Sequence, residues 1–326
     1  MNIIYYDLHK GLHHEDGTPA KALAPCVGTI GFFDGVHKGH QFLIAQLVGR
    51  AKAEGREATV ITFNEHPRRV LQSHYQPEML NTLETKLRLL SRTAVDNVVV
   101  LCFSKEMAML SARDFMQHVL CEQLNVKTLF VGYDHRFGYN RQETFEDYVQ
   151  YGREMQMNVV RNTVFELHNV NISSTVIRSF LREGEVELAQ ECLGYPYTLI
   201  GRVVAGYHEG RKMGYPTANL DITSSDQMIP APGVYAVKVR LEGDAEIRSG
   251  MMNIGTRPTF NGSQTTLETH IFNFDGDIYD QMLLVGFYHR IREEQKFDSP
   301  SHLALQLKKD EETARRLLAE DGQAQS

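Results

Sequence analysis

The sequence lacks most of what would mark a secreted, membrane-bound or nucleic-acid-gripping protein. Its four cysteines, Cys26, Cys102, Cys121 and Cys192, lie far apart and form no CxxC pair, which suggests neither a disulfide framework nor a zinc-ribbon site. No apolar run is long enough to span a bilayer. The opening MNIIYYDLHKGLHHEDG has no basic segment followed by an apolar core, so no signal peptide is expected. Basic charge is also in short supply: 34 Lys and Arg face 41 Asp and Glu, for a net charge of −7. That is the wrong sign for a chain whose main work is holding a phosphate backbone, so no nucleic-acid partner is expected. Internal repeats and low-complexity tracts are missing as well. What is there, 42% hydrophobic and 23% charged residues over 326 positions, is ordinary globular composition, long enough for two domains. A cytoplasmic protein without a membrane partner is expected, with weak self-association left open.

The two halves differ in texture. In the first, strand-like runs at Cys26–Phe32, Glu57–Phe63, Asn97–Phe103 and Thr128–Asp134 alternate with segments of helical spacing. Gln41–Glu54 places Leu43, Leu47 and Ala51 on one face. Asn81, with Glu84 three residues on, reads as a capping box. Ser111 opens a further helix, Thr144–Met155 forms another, and Asn158–Arg161 is a short strand. Continuous apolar strands of this kind are buried on both faces, and the alternation predicts an α/β fold with a doubly wound parallel sheet. From Thr198 the runs turn β-branched and aromatic with GD and DG turns between them, and one convincing helix follows Ser299–Pro300. This predicts an antiparallel β-barrel domain with a C-terminal helix. The boundary is expected at Gly184, giving domains 1–184 and 185–326.

Three strings carry chemistry. Gly31-Phe-Phe-Asp-Gly-Val-His-Lys-Gly-His40 follows a predicted strand and opens a predicted helix, where an open α/β sheet binds ligands. Gly35 and Gly39 let the backbone approach a phosphate, Gly31, Phe32 and Asp34 are further candidates for binding it, and His37 and His40 share a face if the helix begins by His37. Two imidazoles there can stabilise charge developing on a leaving pyrophosphate. The string is not a Walker A motif. Ser173, Ser174 and Thr175 supply hydroxyls and N–H groups at a helix start, with the Arg178 guanidinium one turn on, a combination suited to a triphosphate. In the second half, Gly210 and Gly214 flank a loop ending in Thr217 and Asn219, whose oxygens suit a hard cation. Glu268 lies on a predicted strand between apolar neighbours.

Together these strings resemble the bifunctional prokaryotic riboflavin kinase/FAD synthetase family over nearly the whole chain. GFFDGVHKGH is similar to the HxGH signature of the wider nucleotidyltransferase superfamily, and Ile172-Ser-Ser-Thr-Val-Ile-Arg178 to its ISSTxIR motif. Thr62-Phe-Asn-Glu-His-Pro67 resembles TFxPHP with Glu65 where proline is common, and Val131-Gly-Tyr-Asp-His-Arg-Phe-Gly138 resembles VGxDFxFG with His135 for phenylalanine. Both follow strands, so the resemblance implies that Asn64, His66, Asp134 and Phe137 hold flavin or adenine. GRKMGYPTAN resembles GRxLGFPTAN, with Met213 and Tyr215 as variants, and implies that Thr217 and Asn219 hold Mg²⁺ with ATP. Glu268 matches the family's catalytic glutamate, and Asp280 stands where glycine is common. The implied reactions are phosphorylation of riboflavin to FMN by ATP, then attack of the FMN phosphate on the α-phosphorus of ATP to give FAD. An already anionic nucleophile needs no strong base in the second step. Arg292 reads either as a phosphate contact or as a strand-end ion-pair partner. The competing readings are a nucleotidyltransferase for another substrate, such as a pantetheine phosphate, fused to an unrelated barrel, and a flavin-binding module without turnover.

Overall fold

The computed structural model describes the chain apart from residues 73, 133–135, 164, 168–169, 207–209, 211–212, 224, 260–261 and 325–326. The chain divides into two compact units, Met1–Pro77 with Asn81–Ser173, and Glu78–Leu80 with Ser174–Ser326.

In the first unit the apolar runs become strands β3 (Cys26–Ile30), β4 (Glu57–Phe63), β5 (Asn97–Leu101) and β6 (Val126–Val131), with β7 at Asn158–Arg161. The N-terminus adds β1 (Asn2–Asp7) and β2 (Gly11–His13), giving a sheet of order β2-β1-β5-β4-β3-β6-β7. Every pairing is parallel except that of β2 with β1. Alternate residues of one strand feed opposite layers, which is why the runs are apolar throughout. Val98 and Val100 join Leu43, Ile44 and Leu47 of α1 (Lys38–Glu54) on one face. Val99 and Leu101 join Phe115, Met116, Val119 and Leu120 on the other. Strand order runs outward from β3 in both directions, so the sheet switches between β3 and β6. A crevice beyond the carboxyl ends of those two strands is the expected ligand position.

Several local expectations are corrected. Asn81 is not a helix cap. Helix α2 (Leu83–Leu90) is capped by Thr82, whose hydroxyl accepts from the Thr85 N–H at 3.2 Å. Glu84 therefore sits one position too early for a capping box, and the Asn81 N–H instead donates to Asp34 at 3.3 Å. Strand β3 ends at Ile30 rather than Phe32 because Phe33 takes left-handed backbone angles, φ 54° and ψ 35°. Helix α1 starts at Lys38, earlier than Gln41, with His37 as its cap. Ser111 caps the helix it is expected to open. Thr144 completes a reciprocal capping box with Asp147 for Phe145–Glu154.

The second unit begins with α3 (Ser174–Glu183) and α4 (Val186–Leu193). Six strands then close into a barrel: β8 (Thr198–Val204), β9 (Ala218–Asp221), β10 (Gly233–Leu241), β11 (Arg248–Thr259), β12 (Gly262–Ile271) and β13 (Met282–Arg292). All pairings are antiparallel. Tyr235, Val237, Met252, Ile254, Leu267, Val285 and Phe287 fill the interior and are buried. The C-terminal helix, Pro300–Ala324, covers an outer face by packing Ala314 and Leu318 on Ala236, Met251 and Phe272. Arg292 belongs to this attachment. Its guanidinium bonds Asp310 through Nε at 3.0 Å and Nη2 at 2.7 Å, and Asp310 is 1% exposed. It is a strand-end ion-pair partner.

The departure at Asp280 has a backbone explanation. Its φ is 63°, a region that favours glycine, while its N–H donates to Val203 at 2.9 Å and its carbonyl accepts from Arg202 at 2.6 Å. The backbone takes a conformation that glycine adopts freely, and the Asp280 side chain is tolerated there at a small cost. Asp280→Gly is expected to raise stability by about 0.5 kcal/mol, left-handed strain outweighing the added chain entropy. Urea unfolding checks this; a loss of stability would mean that the carboxylate itself holds the turn.

Candidate active sites

The first site forms where β3 ends. Phe33 and Gly35 have φ of 54° and 81°, and Val36, a β-branched residue, has φ 35°. Gly35 adopts this freely, but at Phe33 and Val36 such strain costs roughly 1–3 kcal/mol per residue and gathers where function holds it. The turn leads into α1, where the His37 imidazole replaces the usual hydroxyl or carboxylate cap: Nδ1 accepts from the His40 N–H at 3.3 Å. With Nδ1 accepting, the neutral ring carries its proton on Nε2. The His37 and His40 rings stack with centroids 3.6 Å apart at 20°, and Phe33 meets His40 edge-on at 5.1 Å. Burial, with His37 and Lys86 adding to it, holds the His40 imidazole well below its ordinary pKa. Its Nδ1 is buried without a hydrogen-bond partner among the described residues. Gly39 backs onto this pair: a Cβ there would stand 3.1 Å from His37 Nδ1 and 3.3 Å from the Ile172 carbonyl. Ile172 directly precedes Ser173, so the turn and the chain entering the second motif adjoin. Asp34 is buried and Gly31 bonds back to the Ile61 carbonyl at 3.0 Å.

Beside the turn lies a cavity of about 560 Å³ walled by Phe32, Phe63, Phe103, Phe115 and Phe137, with His66, Arg68, Arg136 and Arg141 among its polar lining. An apolar cavity with few polar groups suits a flat, largely apolar ring system. His66 caps a short helix, Pro67–Leu71, by accepting from the Arg68 N–H at 3.2 Å, and its ring lies 4.9 Å from that of Phe32. Asn64 turns inward, its Oδ1 accepting from the Phe103 N–H at 3.1 Å. Phe137 stacks on Tyr148 at 4.4 Å and 7°, and the Tyr148 hydroxyl bonds both its N–H and its carbonyl. Asp134 and His135 lie outside the described residues. Gly138, also on the wall, has φ 91°, and a Cβ there would stand 2.5 Å from the Ala112 nitrogen. Gly138→Ala is expected to cost more than about 2 kcal/mol and to raise KM for the flavin. Thermal unfolding and steady-state kinetics check this, and unchanged stability would refute the close approach.

Ser174, Thr175 and Arg178 open α3 and fall in the second unit, whereas Ser173 closes the first. Arg178 Nε donates to the Glu78 carbonyl at 2.6 Å.

In the barrel, strand register aligns three side chains. Asn219 of β9 pairs with Glu268 of β12, which pairs with Asn253 of β11. Leu267 and Thr269 beside Glu268 are buried in the interior, so by alternation Glu268 stands on the outer face with Asn219 and Asn253. Close approach shapes the row: a Cβ on Gly206 would lie 2.1 Å from Asn219 Nδ2. Thr217 immediately precedes β9, two residues before Asn219. Gly210 accepts from the Met213 and Tyr215 N–H groups at 3.0 and 2.9 Å, and Gly214 turns with φ 83°. His270 fixes the loop by bonding the Pro216 carbonyl at 2.7 Å.

Two further residues are picked out by the fold. Asn253 is singled out by the register, through its pairing with Glu268. Lys86 is 4% exposed, and its Nζ donates to the Phe63 carbonyl at 2.9 Å and the Phe32 carbonyl at 3.2 Å. A lysine on the same helical face as Leu83, Leu87 and Leu90 is the signal that the sequence offers for it.

Comparisons with known proteins match both halves. A family model described as FAD synthetase matches residues 20–176, and one described as riboflavin kinase matches 193–318. The Haemophilus influenzae bifunctional riboflavin kinase/FMN adenylyltransferase is 40% identical over 308 residues, which cover 94% of this chain and 98% of that one. The Escherichia coli K12 protein of the same name is 37% identical, with coverages of 94% and 96%. A Streptococcus pneumoniae crystal structure described as a macrolide-efflux protein is similar with a TM-score of 0.83 and 33% identity, over 97% of this chain and 99% of that one. Its name stays with that protein; no helix among the described residues here is long and apolar enough to cross a membrane. With the turn at the sheet's switch point, the row on the barrel and full-length relatives agreeing, the chain belongs to the bifunctional riboflavin kinase/FMN adenylyltransferase family.

Proposed function

We propose that the protein converts riboflavin to FAD in two ATP-consuming steps at separate sites. Adenylylation is assigned to residues 1–184 and phosphorylation to residues 185–326. The observation that carries this division is the placement of the two constellations. The His37–His40 stack and the aromatic cavity lie wholly in the first unit, and the Asn219–Glu268–Asn253 row wholly in the second.

In the kinase step, Glu268 accepts the proton of the terminal ribityl hydroxyl as the γ-phosphoryl group is transferred in line. The Gly210–Gly214 loop supplies backbone to the phosphates. Thr217 and Asn219 fit Mg²⁺ by the chemistry of their donors: neutral oxygens at the start of β9, with Asn219 paired to Glu268, match a cation that takes few protein ligands and completes its shell with phosphates and water. Bound there with ATP, the ion would neutralise phosphate charge. Among the described residues no group of three His, Cys, Asp or Glu gathers elsewhere to hold a metal.

In the adenylylation step, the aromatic cavity receives the flavin ring and the β3 turn receives ATP. His37 donates from Nε2 to phosphate oxygen, and His40 stabilises the departing pyrophosphate. Asn64, His66 and Phe137 shape the cavity; Asp134 is assigned to flavin or adenine on its motif alone. Phe32, Asp34, Gly31, Gly35 and Gly39 form the turn, and Ser173 adjoins it. For Ser174, Thr175 and Arg178 the assignment to ATP phosphate likewise rests on the motif. The reading places the protein in the cytoplasm, acting on small molecules and not on nucleic acid.

Chromatography of flavins after incubation with riboflavin, ATP and Mg²⁺ tests the reading. FMN appearing first and FAD later is the expected course. Riboflavin and supplied FMN both left unconverted would overturn it.

A further inference from the structure

Lys86 is a buried cation that neither reaction described above uses. It projects from α2 among apolar side chains, yet its ammonium donates to the Phe63 carbonyl at 2.9 Å and the Phe32 carbonyl at 3.2 Å, and lies 4.4 Å from the centre of the Phe32 ring. Those carbonyls mark where β4 ends and where the chain leaves β3. Downstream of Phe32 lies the turn that carries Asp34, His37 and His40. Downstream of Phe63 lie Asn64 and His66, and both Phe32 and Phe63 line the aromatic cavity. Thr62 reinforces the junction by donating its hydroxyl to the Phe32 carbonyl at 3.1 Å. One ammonium therefore ties the two strand ends that build the two halves of the site.

We propose that Lys86 is a positioning residue for adenylyl transfer, clamping the ends of β3 and β4 so that the phosphate-binding turn and the flavin cavity hold a fixed separation. The proposal rests on the adenylylation site assigned above. In-line attack needs the FMN phosphate oxygen and the α-phosphorus of ATP held near contact, and a misplacement of about 1 Å costs about 100-fold in rate. Bonds from a charged donor are about twice as strong as those from a neutral one, so the clamp weakens when the ammonium loses its proton. Burial lowers the Lys86 pKa and Asp34 in the turn raises it, with burial prevailing to bring it down to about 8. On α1, burial holds the His40 imidazole well below its ordinary pKa, with His37 and Lys86 adding to it. The clamp is thus charged below about pH 8 and weaker above it.

The test measures FAD formation from supplied FMN in the full chain, with FMN formation from riboflavin as an internal control. Lys86→Met is expected to lower kcat by about 100-fold while the kinase rate holds. Lys86→Arg, which stays charged, is expected to keep substantial activity and to lose the decline in kcat that the parent shows as pH rises through about 8. Should Lys86→Met not fold, the pH profile of Lys86→Arg decides alone. A Lys86→Met chain with parental kcat, or a Lys86→Arg chain whose rate falls with the parent's, would overturn the proposal. His40→Ala run in parallel separates the two levels. If it still makes FAD, the site assignment itself fails; if it is inactive while Lys86→Met is active, only the role of Lys86 fails.

Discussion

Glu268→Gln is expected to abolish FMN formation from riboflavin while conversion of supplied FMN to FAD stays within about twofold of the parent. The substitution keeps the side-chain shape on β12 and removes the carboxylate's charge and its ability to take a proton. Its neighbours in the row, Asn219 and Asn253, are held by strand register, so the barrel has no reason to rearrange. A primary hydroxyl is a poor nucleophile, and a positioned base contributes about 10²–10⁴-fold to such a reaction. The loss should fall on kcat, since a proton acceptor acts in the transition state rather than in binding riboflavin. Flavin chromatography with riboflavin or FMN as the starting material separates the two activities. Loss of both in a folded chain would count against separate sites, and an unchanged kinase rate would remove Glu268 from its role.

The first unit is legible because burial on both sheet faces writes itself as unbroken apolar runs, and four such strands appear close to their expected bounds. Strands β1 and β2 escape notice because NIIYYD is short, ends in a charged residue and leads into a stretch rich in histidine and glycine. In the second half, β9 is hidden inside the PTAN loop and β11 inside GMMNIGTRPT, where glycine, asparagine and proline signal turns rather than a twelve-residue strand. Asn253 lies within that strand and meets Glu268 through pairing. The motif histidines, Thr217, Asn219 and Glu268 are legible as local strings. What no string conveys is mutual placement: the 3.6 Å stacking of His37 on His40, the cavity beside them, or a lysine that reaches two carbonyls from different strands. Such features depend on which strand ends the sheet order brings together, and that order is set by packing of the whole layer.

His40→Ala is expected to lower the adenylylation rate by about 10²–10³-fold, the scale of losing one preorganised donor at a developing charge, while riboflavin phosphorylation is unaffected. The ring is well placed for that role. It is stacked on His37 and bounded by Phe33, so its position is fixed before ATP arrives, and its Nδ1 is buried with no hydrogen-bond partner among the described residues. Burial holds it neutral. A phosphate entering beside it supplies the negative charge that burial withholds, favouring the imidazolium at the moment pyrophosphate leaves. Alanine leaves the helix cap in place, because the bond to His37 uses the backbone N–H of residue 40 and not its side chain. The chain should therefore fold as before and bind flavin in its aromatic cavity. The deficit should appear in kcat at saturating ATP and FMN. An unchanged FAD yield would remove His40 from the site and leave the turn with a structural role alone.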